Sequence, residues 1–266
     1  MLLESIGYQA TAAAATGTPG TAFTNDNLTV KNAREGSKVW IVALFSKNQT
    51  LGNQQLVWPS GHDVTRGYRW IAPAAKLVTP LALGTLIPIN RQELIAPTIV
   101  GTAVAADIEQ GIITLFYEDM PGQVARLIDY DTLMRFGTRQ TTIAASIDPG
   151  VAGNWGGSEA INADSDLLRA NTDYALLGAC AGLQITAIGF NGPDSGNARV
   201  AIPGDIDMFE LNQRWFVEWS RATGLPCIPV FNSANKGSSN FVLADDENGA
   251  ATTFQVNLVE LSPGVA

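Results

Sequence analysis

The sequence is poor in the residues that most often do chemistry. Its 266 residues include one histidine, two cysteines and only 15% charged residues. With His62 alone, a metal site of three histidines, or of two histidines and a cysteine, cannot form within one chain. Cys180 and Cys227 are too few for a disulfide framework, and no CxxC pair exists for metal or redox work. Both read as small buried hydrophobes. No run is long and apolar enough to span a bilayer. The first twenty residues lack the basic start and apolar centre of a signal peptide. Positive charge is scarce too: 16 Lys and Arg stand against 25 Asp and Glu, a net of −9. The counterion release that drives nucleic-acid binding is therefore missing, and direct contact with nucleic acid is not expected.

Catalytic motifs are equally sparse. There is no P-loop, no GxGxxG and no GxSxG. His62 follows Pro59-Ser60-Gly61 beside a turn and reads as a surface residue. The glycine-rich stretch 150–157 lacks the P-loop lysine and reads as a flexible loop. Only acidic clusters remain. Asp245, Asp246 and Glu247, followed by Asn248, are the candidate calcium ligands, although their spacing is not that of an EF-hand and a solvated turn is the plainer reading. Asp129 and Asp131 form a second pair. No two carboxylates are singled out for glycoside hydrolysis. No catalytic or cofactor-binding residue is assigned, and the chain is not expected to be an enzyme.

What the sequence does have is apolar content, at 46%, broken by 26 glycines and 13 prolines into short runs. That pattern describes many strands joined by turns. It also repeats. Gly52-Asn53, Leu56 and Pro59 recur as Gly196-Asn197, Val200 and Pro203, a shift of 144 (52 to 196). Arg69-Trp70 recurs as Arg214-Trp215, shifted by 145 (69 to 214). Gly84 and Ile87-Pro88-Ile89 recur as Gly224 and Ile228-Pro229-Val230, and Glu118 with Pro121-Gly122 as Glu260 with Pro263-Gly264, shifted by 140 to 142 (84 to 224, 118 to 260). Asp26 and Leu28 match Asp166 and Leu168, and Ser5-Ile6 matches Ser146-Ile147 weakly. The matches keep their order. A period near 140 residues is too long for a solenoid unit and is the size of a whole β-sandwich.

Each unit reads alike. In the first, the apolar run 38–45 suits a strand buried on both faces, and 54–58 returns as a second strand after a turn. In the second, 174–190 is the apolar run and 198–202 the return. Both units close on a clear strand, 111–118 and 253–260. In the latter, Phe254, Val256 and Leu258 alternate with Gln255 and Asn257. Two segments carry helical spacing: 123–136, within a connector at 123–140, and 212–222, whose Trp215, Phe216 and Trp219 form one stripe.

The two paired segments (39–61 and 174–204, read as hairpins), the paired Ile-Pro segments and the paired closing strands together resemble the double jelly-roll major capsid proteins of tailless, membrane-containing icosahedral viruses, in particular the shorter, corticovirus-like members. The resemblance implies an all-β fold of two tandem eight-stranded jelly-roll sandwiches with short helical insertions. The units would be an N-terminal arm and first jelly roll at 1–122, the connector helix at 123–140 and a second jelly roll at 141–266. It implies a homotrimer with six similar towers tiling an icosahedral shell, made in the host cytoplasm and residing in the virion. Its partners would be neighbouring capsomers, penton proteins and minor capsid or membrane proteins. The Gly- and Ala-rich arm, residues 1 to about 25, would tie capsomers together or lie near an internal membrane. Two readings from other classes stay open. A tandem carbohydrate-binding or adhesin sandwich needs an exposed aromatic platform, with Trp58, Trp70 and Trp155 as candidates. A hydrolase needs carboxylates that converge in a cleft.

Overall fold

The computed structural model describes the chain except residues 12–16, 49–50, 62–64, 73–75, 79–85, 102–107, 151–152, 162–166, 182–184, 205–208, 246–250 and 266. The first half holds β1 (Leu2–Thr11), β2 (Thr18–Pro19), β3 (Thr21–Ala22), β4 (Val39–Asn48), β5 (Gly52–Val57), β6 (Tyr68–Ala72), β7 (Lys76–Val78), β8 (Ile87–Pro88), β9 (Ala96–Gly101) and β10 (Ile108–Tyr117). A short strand β11 (Leu127–Ile128) and helix α1 (Tyr130–Phe136) lead into the second half. There follow β12 (Gly137–Ile147), β13 (Trp155–Ala160), β14 (Asp173–Ala181), β15 (Ile185–Asn191) and β16 (Val200–Pro203). Two helices, α2 (Phe209–Asn212) and α3 (Trp215–Thr223), precede β17 (Ile228–Asn232), β18 (Asn240–Asp245) and β19 (Thr252–Leu261).

The strands form four antiparallel sheets. Sheet I runs β3-β1-β10-β4-β7, with β8 also paired to β4, and sheet II runs β2-β9-β5-β6. Sheet III runs β13-β18-β15-β16 and sheet IV runs β11-β17-β14-β19-β12. Setting aside β3, β7 and β11, each half has eight strands among the described residues. Numbered in chain order within each half, they pair as 1-8-3-6 in one sheet and 2-7-4-5 in the other, the same in both halves. The third strands even share an irregularity against the eighth. Ala43 faces Thr114 while Ile41 faces Leu115, so Val42 is the extra residue of a bulge in β4. Leu176 faces Leu258 while Gly178 faces Asn257, so Leu177 is the extra residue in β14.

Several expectations need correcting. Neither 39–61 nor 174–204 is a hairpin: β4 and β5 lie in different sheets, as do β14 and β15. The run 174–190 is two strands, because one strand of 17 residues would be roughly 56 Å long, far beyond the usual span. The repeat anchors divide accordingly. Ile87-Pro88 and Ile228-Pro229 occupy the matching sixth strands, and the closing strands are both eighth. Gly52-Asn53, however, opens the fourth strand of its half, whereas Gly196-Asn197 is the turn before the fifth. Trp70 lies in β6 and Trp215 starts a helix. The connector is not helical from 123. Asp129 accepts a hydrogen bond from Thr132 N at 2.7 Å, capping a helix that begins only at Tyr130. Residues 2–11 are no loose arm. Leu2, Leu3, Ile6 and Tyr8 are fully buried in β1, paired with β10 along its whole length.

One core of the first half lies between sheets I and II and gathers Leu2, Ile6, Tyr8, Leu44, Leu56, Trp58, Trp70, Ile99, Ile113, Leu115 and Tyr117. The opposite face of sheet I contributes Leu3, Val42, Ala43, Phe45, Ile112 and Phe116 to the larger core of the second half, joined by Phe23 just after β3. β4 is thus buried on both faces, as its unbroken apolar run dictates. β19 alternates as its sequence does, except that Asn257 is covered as well: its amide donates to Gln213 O beside α3. Helix α3 follows its predicted stripe, with Trp215, Phe216 and Trp219 buried and Gly224 ending it at φ 69°. The end of α2 lies so close to β14 that a Cβ on Gly178 would sit 2.0 Å from Asn212 O. Gly178→Val is expected to cost about 2–3 kcal/mol through this overlap and to lower the melting temperature by several degrees in calorimetry.

Candidate functional surfaces

The residues singled out from sequence do not come together. Asp246, Glu247 and Asn248 lie outside the described residues, as do His62 and Asp63; Asp245 ends β18. Asp129 caps α1 and Asp131 sits in its first turn, so this pair serves a helix start. Among the described residues no group of three or more His, Cys, Asp or Glu is placed to hold a metal ion. The proposed aromatic platform also dissolves. Trp58 and Trp70 belong to the first core, with Trp70 Nε1 donating to Ser46 Oγ. Trp155 is half-buried beneath the Arg199 guanidinium, 4.6 Å from its ring centre. The glycine-rich stretch is partly strand, since Trp155–Ala160 forms β13. Both cysteines are free and buried, and burial pushes the Cys227 thiol up to about 12.

The polar groups that do converge lie between the halves. Asp26, from the first half, is almost fully enclosed. One carboxylate oxygen accepts from Gly7 N at 2.7 Å and from Trp155 Nε1 at 2.8 Å, and the other pairs with Arg199 Nη1 at 2.8 Å. Phe23 meets Trp155 edge-on at 5.8 Å, and Thr24 N donates to Asn154 Oδ1. Nearby, Ser5 N donates to Arg199 O at 2.6 Å and Ala201 N donates back to Ser5 Oγ at 2.9 Å. Each donor of Asp26 comes from a different element, so the carboxylate reads the relative position of β1, β13 and the turn before β16. Removing one partner of such a pair leaves an unpaired charge in a nearly dry site.

A second cluster ties the connector to the second half. Arg126 grips Asp173 with two bonds, 2.9 and 2.7 Å, and lies 3.6 Å from Asp194. Asn232 donates to both, from its side chain to Asp173 and from its backbone N to Asp194. Burial pushes the Asp173 carboxyl up, but the bonds from Arg126 and Asn232 outweigh it and hold it below the usual carboxylate range. A third acid, Glu260, meets Arg139 and Arg169 at 3.2 and 2.7 Å. Sequence reasoning missed these clusters. Asp26 and Glu260 entered only as repeat anchors, and nothing local marks Arg199 or Arg126.

The surface also carries open grooves. One beside the second half, about 690 Å³, is lined by Leu133, Met134, Gln140, Leu177, Val217 and Val259, among others. No helix among the described residues is long and apolar enough to cross a membrane.

No family model and no curated protein matches this chain. Two solved structures are weakly similar. The PBSX exported protein XepA aligns over 97% of this chain and 86% of its own, at 10% identity and a TM-score of 0.29. The T=1 Penaeus vannamei nodavirus structure aligns over 97% and 98%, at 8% identity and a TM-score of 0.21. Scores this low establish no common fold.

Two outcomes are expected. Asp26→Ala should cost about 3 kcal/mol in urea unfolding, and Arg199→Met in the same chain should recover part of that loss, because no charge is then left unpaired. Asp173 titrates lower folded than unfolded. Its stabilising effect is therefore full above the unfolded value near 3.9 and lost as pH falls through the folded value. Asp173→Asn should flatten the decline of the urea midpoint below about pH 4.

Proposed function

We propose that this is a shell-forming structural protein, the major capsid protein of a tailless icosahedral virus, built from two tandem jelly rolls related by duplication. The observation that carries the reading is the strand order. The orders 1-8-3-6 and 2-7-4-5, common to both halves, support the wrapping of an eight-stranded jelly roll in each. The matched bulges at Val42 and Leu177 support descent of both halves from one ancestor. The side-by-side joining of the halves supports it further, because two like towers per chain let three chains form a sixfold-like tile.

The polar chemistry of the described residues favours a structural role over a hydrolytic one. The enclosed acids Asp26, Asp173, Asp194 and Glu260 each face an arginine, an arrangement that supports a role in fixing strands and halves. A carbohydrate platform lacks its aromatics, since Trp58 and Trp70 are in the core. In this reading the protein resides in the virion shell and works with copies of itself and with other shell proteins.

Size-exclusion chromatography with light scattering tests it. The chain mass is 28.2 kDa, so a particle of three chains, or multiples of three, is the expected result. A chain that stays single at every concentration, and that a glycan column retains, would sink the reading.

A further inference from the structure

The pairing of β8 with β4 builds a groove at one end of sheet I. Pro88 lies opposite Trp40 and Ile87 opposite Ile41, and Ile89 N bonds Val39 O. Residues 89–91 are thereby held beside 36–38, and the groove between them measures about 720 Å³. Small-ligand sites occupy roughly 300–1,000 Å³. Trp40, Lys38, Arg91, Ser37 and Asn90 are among its lining. Both charged side chains in the lining are cations, in a chain of net charge −9.

Phe116, opposite Trp40 on β10, seats the indole with ring centres 5.9 Å apart and leaves it half-buried. The Lys38 ammonium stands 5.8 Å from the indole centre and meets no carboxylate among the described residues. Arg91 Nη1 donates to Ala33 O at 3.5 Å, and its ion pair with Glu35 is long, 3.8 Å, and exposed. Turning such a guanidinium to a ligand costs little.

The second half shows how the same place is filled elsewhere in the chain. Matching the two bulges aligns Ile41 with Leu176, hence Trp40 with Ala175 and Lys38 with Asp173. Asp173 is answered from within, by Arg126 and Asn232, and β11 covers the neighbouring strand by pairing Leu127 with Pro229. In the first half the charge at that position is reversed and an indole replaces a methyl group. Among the described residues no strand covers the outer edge of β8, and no acid answers Lys38.

We propose that this groove binds a short acidic saccharide, with one sugar ring on the Trp40 indole and its carboxylate between Lys38 and Arg91. An indole takes the apolar C–H face of a sugar ring, and the guanidinium fork matches a carboxylate. Ser37 and Asn90 offer a hydroxyl and an amide to the ring hydroxyls. A nucleic-acid strand fits less well. The lining has one aromatic ring, not the series on which successive bases stack, and the overall charge opposes a polyphosphate. This site is not the platform expected of Trp58, Trp70 and Trp155, and it goes beyond the shell reading without depending on it.

Ligand-observed NMR titration with digalacturonate, and with neutral digalactose as control, tests it. The wild type should bind the acid at least about tenfold more tightly than the neutral sugar. Lys38→Gln and Arg91→Gln, both at exposed positions, should each weaken digalacturonate about tenfold, as loss of a charge-assisted hydrogen bond does, and leave digalactose unchanged. Trp40→Leu should weaken both sugars. Circular dichroism separates loss of fold from loss of binding, and the two cation variants carry the test if Trp40→Leu does not fold. No binding of digalacturonate at millimolar concentration, equal affinity for the two sugars, or undiminished binding by Lys38→Gln combined with Arg91→Gln would each overturn the proposal. A thymidine oligonucleotide that binds more tightly than the saccharide would overturn it in favour of nucleic acid.

Discussion

The structure depends on two strands, β4 and β10, that are buried on both faces. Sheet I turns Leu2, Ile6, Ile113 and Leu115 toward sheet II, and Leu3, Phe45, Ile112 and Phe116 toward the second half. Burying both faces of β4 and β10 gives a large apolar gain, at about 25 cal/mol per Å². It also requires every polar group on the second face to find a partner inside. Ser5 pairs with Thr114, Gln110 with Thr186, and Asp26 with Gly7, Trp155 and Arg199. The outer face of sheet I thus joins the core of the second half, and the polar bonds fix the register of the halves.

That arrangement explains what was legible in the sequence. The doubly buried β4 reads clearly because an unbroken apolar run has few other uses, and β19 reads clearly because its period of two is intact. The stripe on α3 and the stop at Gly224 are local signals and survive folding. The strand at 2–11 was hidden: its large side chains are interleaved with Glu4, Ser5 and Gly7 and sit next to an alanine-rich stretch, so the segment resembles a tail. Its burial comes from β10, more than a hundred residues away.

The repeat was legible in outline and wrong in register over its middle. The continuous run 174–190 hides the passage from β14 to β15, and treating it as one strand moves the comparison along by a strand. The first, sixth and eighth strands then match, with Ser5-Ile6 in β1 and Ser146-Ile147 in β12. The contacts between halves were beyond sequence reasoning altogether. Asp26 and Arg199 are 173 residues apart, and nothing around either residue marks a buried charge. A lone arginine before a short strand looks like any surface residue until the fold encloses it.

The proposed shell role adds that two similar halves in fixed register would form a unit that three copies turn into a six-lobed tile. Electron micrographs of the purified protein test that claim most directly. The account predicts class averages with six lobes of near-equal weight under strict threefold symmetry. Averages showing isolated two-lobed particles, or closed assemblies whose symmetry is not a multiple of three, would contradict it.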